Sequence, residues 1–369
     1  MITILHLITD LGRGGAQNAL SRLVLGMDRA QFRSVVVSLK PGGPWTEVLR
    51  QAGVEVRDIG FERANDVFRA HTELQRILRQ VEPNIVQSWL YHADLMATLA
   101  RPHRFGASLG WNLRNSDLSE SRRLDWRCLV ALLAALSRTP RFVVSNSQSG
   151  IEAHLRMGYR PQRIELIPNG IDTQVFRPDL TNRAEARALF GLPQDKFLIG
   201  MVARYDDFKD HRTFAQAASL QPGAHFVLAG AGTDSAELKR LVSGFGLAAR
   251  LSALGDVGQI ATLYQAFDIA TLTSSHGEGF PNAVAEAMAC GLPVVATDVG
   301  ATRDIVGDAG IVVQRGAPAD LAKAWAQLGA LAHIDRAEMG RRARERIATR
   351  YGLTTVIKAY EALYRAQAQ

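Results

Sequence analysis

Two carboxylates, Glu278 and Glu286, are separated by the seven residues Gly279-Phe280-Pro281-Asn282-Ala283-Val284-Ala285, where a glycine-flanked loop gives way to a helical pattern. Pro281 suits the first helical turn, where its missing amide hydrogen costs nothing, and Gly291 suits the carboxyl cap. One carboxylate then sits on the loop and the other about a turn inside the helix, so they address different parts of one ligand rather than acting as a paired acid and base. An ionised carboxylate accepts two hydrogen bonds from a vicinal diol, and its charge strengthens them. Upstream, Gly200-Met201-Val202-Ala203-Arg204-Tyr205-Asp206-Asp207-Phe208-Lys209 places two cations just past an apolar segment. Arg204 can fork onto phosphate oxygens while Lys209 supplies a mobile point charge, a combination suited to a departing diphosphate.

A third motif follows the first apolar segment: Gly12-Arg13-Gly14-Gly15-Ala16-Gln17. Its glycines let backbone amides approach an oxyanion at a helix start. The dinucleotide fingerprint would need glycine at position 17, where Gln17 stands, and an acidic residue about twenty positions on is not evident; a nicotinamide dehydrogenase is therefore disfavoured. A loop that approaches phosphate or sugar survives this test, beside the plainer reading of a tight turn.

These motifs need rigid carriers. Short apolar segments at 2–8, 34–39, 54–59, 85–88 and 142–145 alternate with stretches of helical period, and a second series runs through 197–203, 225–229, 251–254, 269–273 and 293–296. Near-continuous apolar strands separated by helices predict parallel sheets covered on both faces. Turn-forming residues cluster at 167–172 and again at Arg177-Pro178, where we place the linker. The expected organisation is one Rossmann-like α/β domain over 1–172, a second over 173–352 and a helix in 353–369 that packs back toward the first domain. In open parallel sheets ligands bind beyond the carboxyl ends of the strands, so two such domains would face each other across a cleft.

With these motifs in place, the chain resembles the glycosyltransferase group 1 proteins of family 4, which have the GT-B fold, two Rossmann-like domains. The resemblance covers nearly the whole chain. It rests on the loop at Gly14, the 167–172 hinge with its trailing Phe176-Arg177-Pro178, the Arg204 and Lys209 pair, Leu228-Ala229-Gly230-Ala231-Gly232, and the two glutamates. It implies that Glu278 touches donor-sugar hydroxyls, Glu286 binds the ribose, Arg204 and Lys209 bind the diphosphate, and amides near Phe280, Pro281 and Asn282 reach the sugar. Gly14 and Gly15 are donor-side contacts, and Val257 lies where the family meets the nucleobase. Retention of configuration without a metal or other cofactor is implied too; the sequence has no Asp-x-Asp pair of the kind metal-dependent transferases use. The chain departs from the family at Gln87-Ser88-Trp89-Leu90-Tyr91-His92, where Trp89 takes the usual histidine position. His92 is carried over as a substrate contact only. Arg114, Asn115 and Ser116 end the next strand and are expected on the acceptor side.

The expected partners are a nucleotide sugar, with UDP as the leading nucleotide, and a glycan or polyprenyl-diphosphate-linked acceptor of cell-surface polysaccharide synthesis. Other readings on the same fold are a sugar phosphorylase, a nucleotide-sugar epimerase or a non-catalytic sugar-nucleotide-binding module. The net charge of +7 is concentrated between Arg101 and Arg163, where arginines abound, lysine is absent and acids are few. Arg122, Arg123, Arg127, Arg138 and Arg141 bracket an apolar run at 129–136, which suits an anionic inner membrane or a buried helix with basic ends. Nucleic acid is disfavoured, because no zinc-finger spacing, helix-turn-helix signature or aromatic-basic stripe is present. The longest apolar run, 128–136, is about half the ~20 residues that span a bilayer, and no signal peptide precedes the first strand, which predicts a cytoplasmic protein. Cys128 and Cys290 sit in apolar helical patterns and are expected as reduced, packed thiols.

Overall fold

The computed structural model describes residues 1–61, 66–116, 124–179 and 183–368. Two compact units are present: residues 1–170 together with 353–369, and residues 171–352. The first contains β1 (Ile2–Ile8), α1 (Gly15–Gly26), β2 (Phe32–Ser38), α2 (Pro44–Gln51), β3 (Glu55–Asp58), α3 (Val67–Val81), β4 (Ile85–Trp89), α4 (Tyr91–Ala100), β5 (Ser108–Leu113), α5 (Leu124–Leu136), β6 (Phe142–Ser145), α6 (Gln148–Arg156) and β7 (Ile164–Leu166). The second contains α7 (Arg183–Leu189), β8 (Phe197–Val202), α8 (His211–Ser219), β9 (Ala224–Ala229), α9 (Ala236–Gly244), β10 (Leu251–Ala253), α10 (Ile260–Gln265), β11 (Ile269–Leu272), α11 (Asn282–Ala289), β12 (Val294–Thr297), α12 (Thr302–Val306), β13 (Gly310–Val313), α13 (Pro318–Ala330) and α14 (His333–Arg350). The last helix, α15 (Leu353–Gln367), belongs to the first unit.

Both sheets are parallel throughout, in the orders β3-β2-β1-β4-β5-β6-β7 and β10-β9-β8-β11-β12-β13. Each order reverses once, between β1 and β4 and between β8 and β11, and a ligand crevice forms outside the carboxyl ends at such a reversal. The glycine loop and Trp89 leave the first reversal; Arg204 and Glu278 lie on the loops that leave the second.

Central strands are buried on both faces, in keeping with their mostly apolar character, and they carry the buried polar groups His6, Gln87 and Ser88 with them. The edge strands β3, β10 and β13 are only half buried, which corrects the expectation of full coverage; an edge strand has a neighbour on one side alone. Strands β7 and β13, absent from the segments read above, are short edge pieces whose pattern is too brief to stand out. One face of the first sheet packs on α3, α4 and α5 through Leu74, Ile77, Met96 and Leu133, and the other on α1 and α15 through Leu20, Leu23, Tyr360 and Tyr364. Cys290 is buried, and burial pushes its thiol up to about 12. Cys128 is exposed on α5, correcting its reading as packed: α5 turns Val130 and Leu133, not Cys128, to the core. Among the described residues no helix is long and apolar enough to cross a membrane.

Buried imidazoles tie this fold to pH. His154 has Nε2 at 2.8 Å from the Tyr91 hydroxyl and Nδ1 at 2.7 Å from the Gly150 carbonyl, an arrangement that suits the neutral ring. Burial lowers the pKa of His154 and His211 to about 4 and that of His6 to about 3. In the unfolded chain these rings protonate below about 6.5. Their stabilising contribution is complete above that pH and is lost as pH falls toward the folded values. Each ring then contributes up to about 1.4 kcal/mol per pH unit of slope. The melting temperature is expected to fall steadily from pH 6.5 to 4.5, and a flat profile by calorimetry would contradict the assignment.

Candidate active site

Past β8 the chain stays extended, with Ala203 N donating to Ala229 O and Tyr205 N to Ala231 O, both at 2.8 Å. This holds Arg204 on the segment leaving the strand. Gly230 sustains the close approach: at φ +133° its backbone runs against the Ala203 carbonyl and the Arg204 amide, where a Cβ would collide. A 3-10 turn over Asp207–Lys209 then brings Lys209 back, and Thr273 Oγ1 donates to the Lys209 carbonyl at 2.9 Å. Both cations lie over the ring of Phe208, with the Arg204 guanidinium 5.1 Å and the Lys209 ammonium 4.8 Å from its centre.

Glu278 reaches the same place from β11. Lys209 Nζ and Ser274 Oγ both donate to its Oε1, the latter at 2.7 Å. The Lys209 and Glu278 side chains are only 16% and 9% exposed, so this pair lies outside the weak regime of fully solvated surface ion pairs. Arg204 instead pairs with Asp206 at 2.9 Å with half its side chain in water, a contact of small net worth that a phosphate can displace. The loop is fixed from behind. Ala301 N donates to Gly279 O at 3.0 Å, and Gly300, at φ +63°, packs against the Glu278 carbonyl with no room for a Cβ.

Pro281 stands just before α11 rather than within its first turn, a correction of one position, and it leaves the Asn282 amide at the helix start. Glu286 sits one turn inside α11, buried to 8% exposure, and Phe280 packs edge-on against Tyr351. Val257 is half-buried against the same core. The second unit therefore gathers Arg204, Lys209 and Glu278 at one loop junction, with Phe280, Pro281, Asn282 and Glu286 following on the next helix. Sequence reasoning passed over Ser274, Phe208 and Gly300; only Gly300, a glycine just past a buried strand, carried a local signal.

In the first unit Gly14 precedes α1 and Gly15 begins it, and the loop is tied by Asp10, whose Oδ1 accepts from Gly12 N and Gln17 Nε2, each at 2.9 Å. Trp89 is fully buried. Its Nε1 approaches His6 Nδ1 at 3.4 Å and its ring stacks on Tyr360. His92 is exposed at the start of α4, 6.1 Å from the Trp126 ring centre. Arg114 and Ser116 are buried and Asn115 is half-buried. Arg114 donates to Asn169 Oδ1 and, at 2.9 Å, to the Tyr360 hydroxyl, while its guanidinium lies 4.4 Å over Trp89; burial lowers its pKa from the usual value. The C-terminal helix thus supplies a hydroxyl that anchors a strand-end arginine, which nothing local in either segment foretold. Arg122 and Arg123 lie outside the described residues. Among the described residues no group of three or more His, Cys, Asp or Glu side chains is arranged to hold a metal ion.

Residues 13–175 match the family described as Glycosyltransferase Family 4, and residues 196–330 match Glycosyl transferases group 1. The chain belongs to the group 1 glycosyltransferases of family 4. Among relatives of this family, the chain is 28% identical over 320 residues to the putative glycosyltransferase EpsF of Bacillus subtilis, covering 80% of this chain and 79% of that protein. It is 34% identical over 167 residues to the D-inositol 3-phosphate glycosyltransferase of Mycobacterium tuberculosis, a match spanning 43% of this chain and 34% of that protein. Among solved structures, Anabaena HepE in complex with UDP-glucose superposes with a TM-score of 0.88 at 20% identity over 99% of this chain and 100% of that one. The fold is GT-B.

Proposed function

We infer that this glycosyltransferase moves a hexose-type sugar, with retention and without a metal, from a UDP-sugar to a glycan or polyprenyl-diphosphate-linked acceptor in cell-surface polysaccharide synthesis. The observation that carries the reading is the convergence of Arg204, Lys209 and Glu278 at the strand-order reversal of the second sheet, ahead of the N-terminus of α11. HepE, which was crystallised with UDP and glucose, supports the choice of nucleotide, and the similarity to EpsF agrees with a transferase of this kind.

The acceptor hydroxyl attacks the anomeric carbon on the face from which the diphosphate leaves. The C–O bond to the acceptor forms as the C–O bond to phosphate breaks, and the acceptor proton passes to a leaving-phosphate oxygen. No enzyme nucleophile is required. Arg204, Lys209 and the α11 amides stabilise the charge that develops on the leaving group, where pre-set donors are most effective. Glu278 and Glu286 hold hydroxyls, of the sugar and the ribose respectively. Val257 faces the nucleobase, Gly14 and Gly15 meet the donor, and His92, Arg114 and Asn115 belong to the acceptor side.

Thermal unfolding with UDP-, GDP- and ADP-sugars tests the donor. A ligand at a hundredfold excess over its Kd stabilises by about 2.7 kcal/mol, a shift of roughly 5–10 °C for a unit of this size. UDP-sugars are expected to produce it. A shift with GDP- or ADP-sugars alone would overturn the nucleotide assignment, and an inverted product anomer by NMR would overturn retention.

A further inference from the structure

The loop that carries Glu278 brings one more polar side chain to the ring of Phe208, the imidazole of His276. The two rings meet edge-on with 6.2 Å between their centres, and the Arg204 guanidinium and the Lys209 ammonium lie over that same phenyl ring. Three groups able to hold a polar ligand therefore share one half-buried aromatic side chain. The loop is pinned on both flanks. Ser275 N donates to the Phe208 carbonyl at 2.8 Å, and Arg315 Nη1, on the segment that leaves β13, donates to the Ser275 carbonyl at 2.9 Å. His276 is itself half-buried.

A count of protons sets the tautomer of this ring. Ser275 Oγ stands 3.3 Å from the Phe208 carbonyl oxygen and 2.9 Å from His276 Nδ1. A carbonyl oxygen only accepts, so the single hydroxyl hydrogen goes to it, and Oγ then accepts from Nδ1–H. The opposite assignment would turn the lone pairs of Oγ and the carbonyl toward each other. With its hydrogen on Nδ1, the neutral ring presents a lone pair at Nε2 and is an acceptor there. An ionised diphosphate offers acceptors alone, whereas a sugar hydroxyl offers a hydrogen. Of the groups on a nucleotide sugar, this nitrogen matches the sugar.

We propose that His276 is a further contact of the transferred sugar, with Nε2 accepting one hydroxyl while Glu278, two residues on, holds another. The assignment rests on the transferase reading above and deepens it. Ser275 becomes a positioning residue, since its hydroxyl keeps the hydrogen on the far nitrogen. The competing role is structural: if His276 only propped Phe208, and through it Arg204 and Lys209, its loss would act on the diphosphate instead.

Calorimetric titration of the full chain with UDP-glucose and with UDP separates these roles. His276→Ala is expected to weaken UDP-glucose about three- to tenfold, the net worth of one hydrogen bond, and to leave UDP as it is. His276→Gln, whose amide oxygen takes the place of Nε2, should recover most of that affinity. Among UDP-glucoses lacking O2, O3, O4 or O6, one should bind the wild type and His276→Ala alike, because the ring and its hydroxyl are lost only once. Unchanged binding of UDP-glucose by His276→Ala, equal losses for UDP and UDP-glucose, or additive losses with all four deoxy donors would overturn the proposal. A wild-type chain that takes up neither UDP nor UDP-glucose would remove the UDP-sugar reading itself, and the role of His276 with it.

Discussion

Lys209→Ala is expected to lower kcat by about 10²- to 10³-fold, and Arg204→Ala/Lys209→Ala by more, with the chain still folded. The size follows from removing a fixed charge aimed at a developing anion, an interaction that matters most in the transition state. Lys209 has the larger share because it is mostly buried, tied down by Glu278 and backed by Phe208, so little reorganisation is needed when charge builds on the phosphate. Arg204 is half in water and must first leave Asp206. Removing Lys209 also strips Glu278 of its cation, although Ser274 still donates to it. Part of the loss could therefore be structural. Calorimetry on Lys209→Ala separates the two effects: a melting temperature close to that of the wild type leaves the loss of turnover to the missing charge. Single-turnover transfer and calorimetry on the same preparations make the measurement. Undiminished transfer by Arg204→Ala/Lys209→Ala would end the diphosphate assignment.

The second large effect belongs to a residue that touches no ligand. Gly300→Ala should cost roughly 2–4 kcal/mol of stability, the sum of a left-handed backbone penalty and overpacking, and should weaken donor binding by about tenfold or more. At φ +63° its added methyl group would meet the carbonyls of Glu278 and Gly279. Those carbonyls are backbone, so no side-chain rotation relieves the contact; the loop must shift and take the Glu278 carboxylate with it. Gly316→Ala is the control, since φ there is +66° and a methyl group would meet nothing within 4 Å. It should lose only the roughly 1 kcal/mol of conformational strain and bind donor normally. Equal melting temperatures and equal donor affinities for the two variants would show that Gly300 does not clamp the loop.

Much of this protein was legible in one dimension. Strand and helix patterns are set by side-chain period, and central strands such as β1 and β4 are buried and mostly apolar because helices cover both their faces. The spacing of Glu278 and Glu286 placed them on a loop and a following helix because Pro281 and Gly291 punctuate that stretch locally. Family membership followed from the same motifs.

What the sequence could not determine is what each side chain meets. Lys209 and Glu278 are sixty-nine residues apart, and they pair because β8 and β11 are neighbours in a sheet whose order reverses there. The Tyr360 hydroxyl reaches Arg114 because α15 belongs to the first unit. Cys128 turned out exposed because a run of apolar residues specifies burial only when something packs on every side of it. Local pattern fixes period and punctuation. Pairing, burial and the placement of charge depend on which distant segments the folded chain brings together.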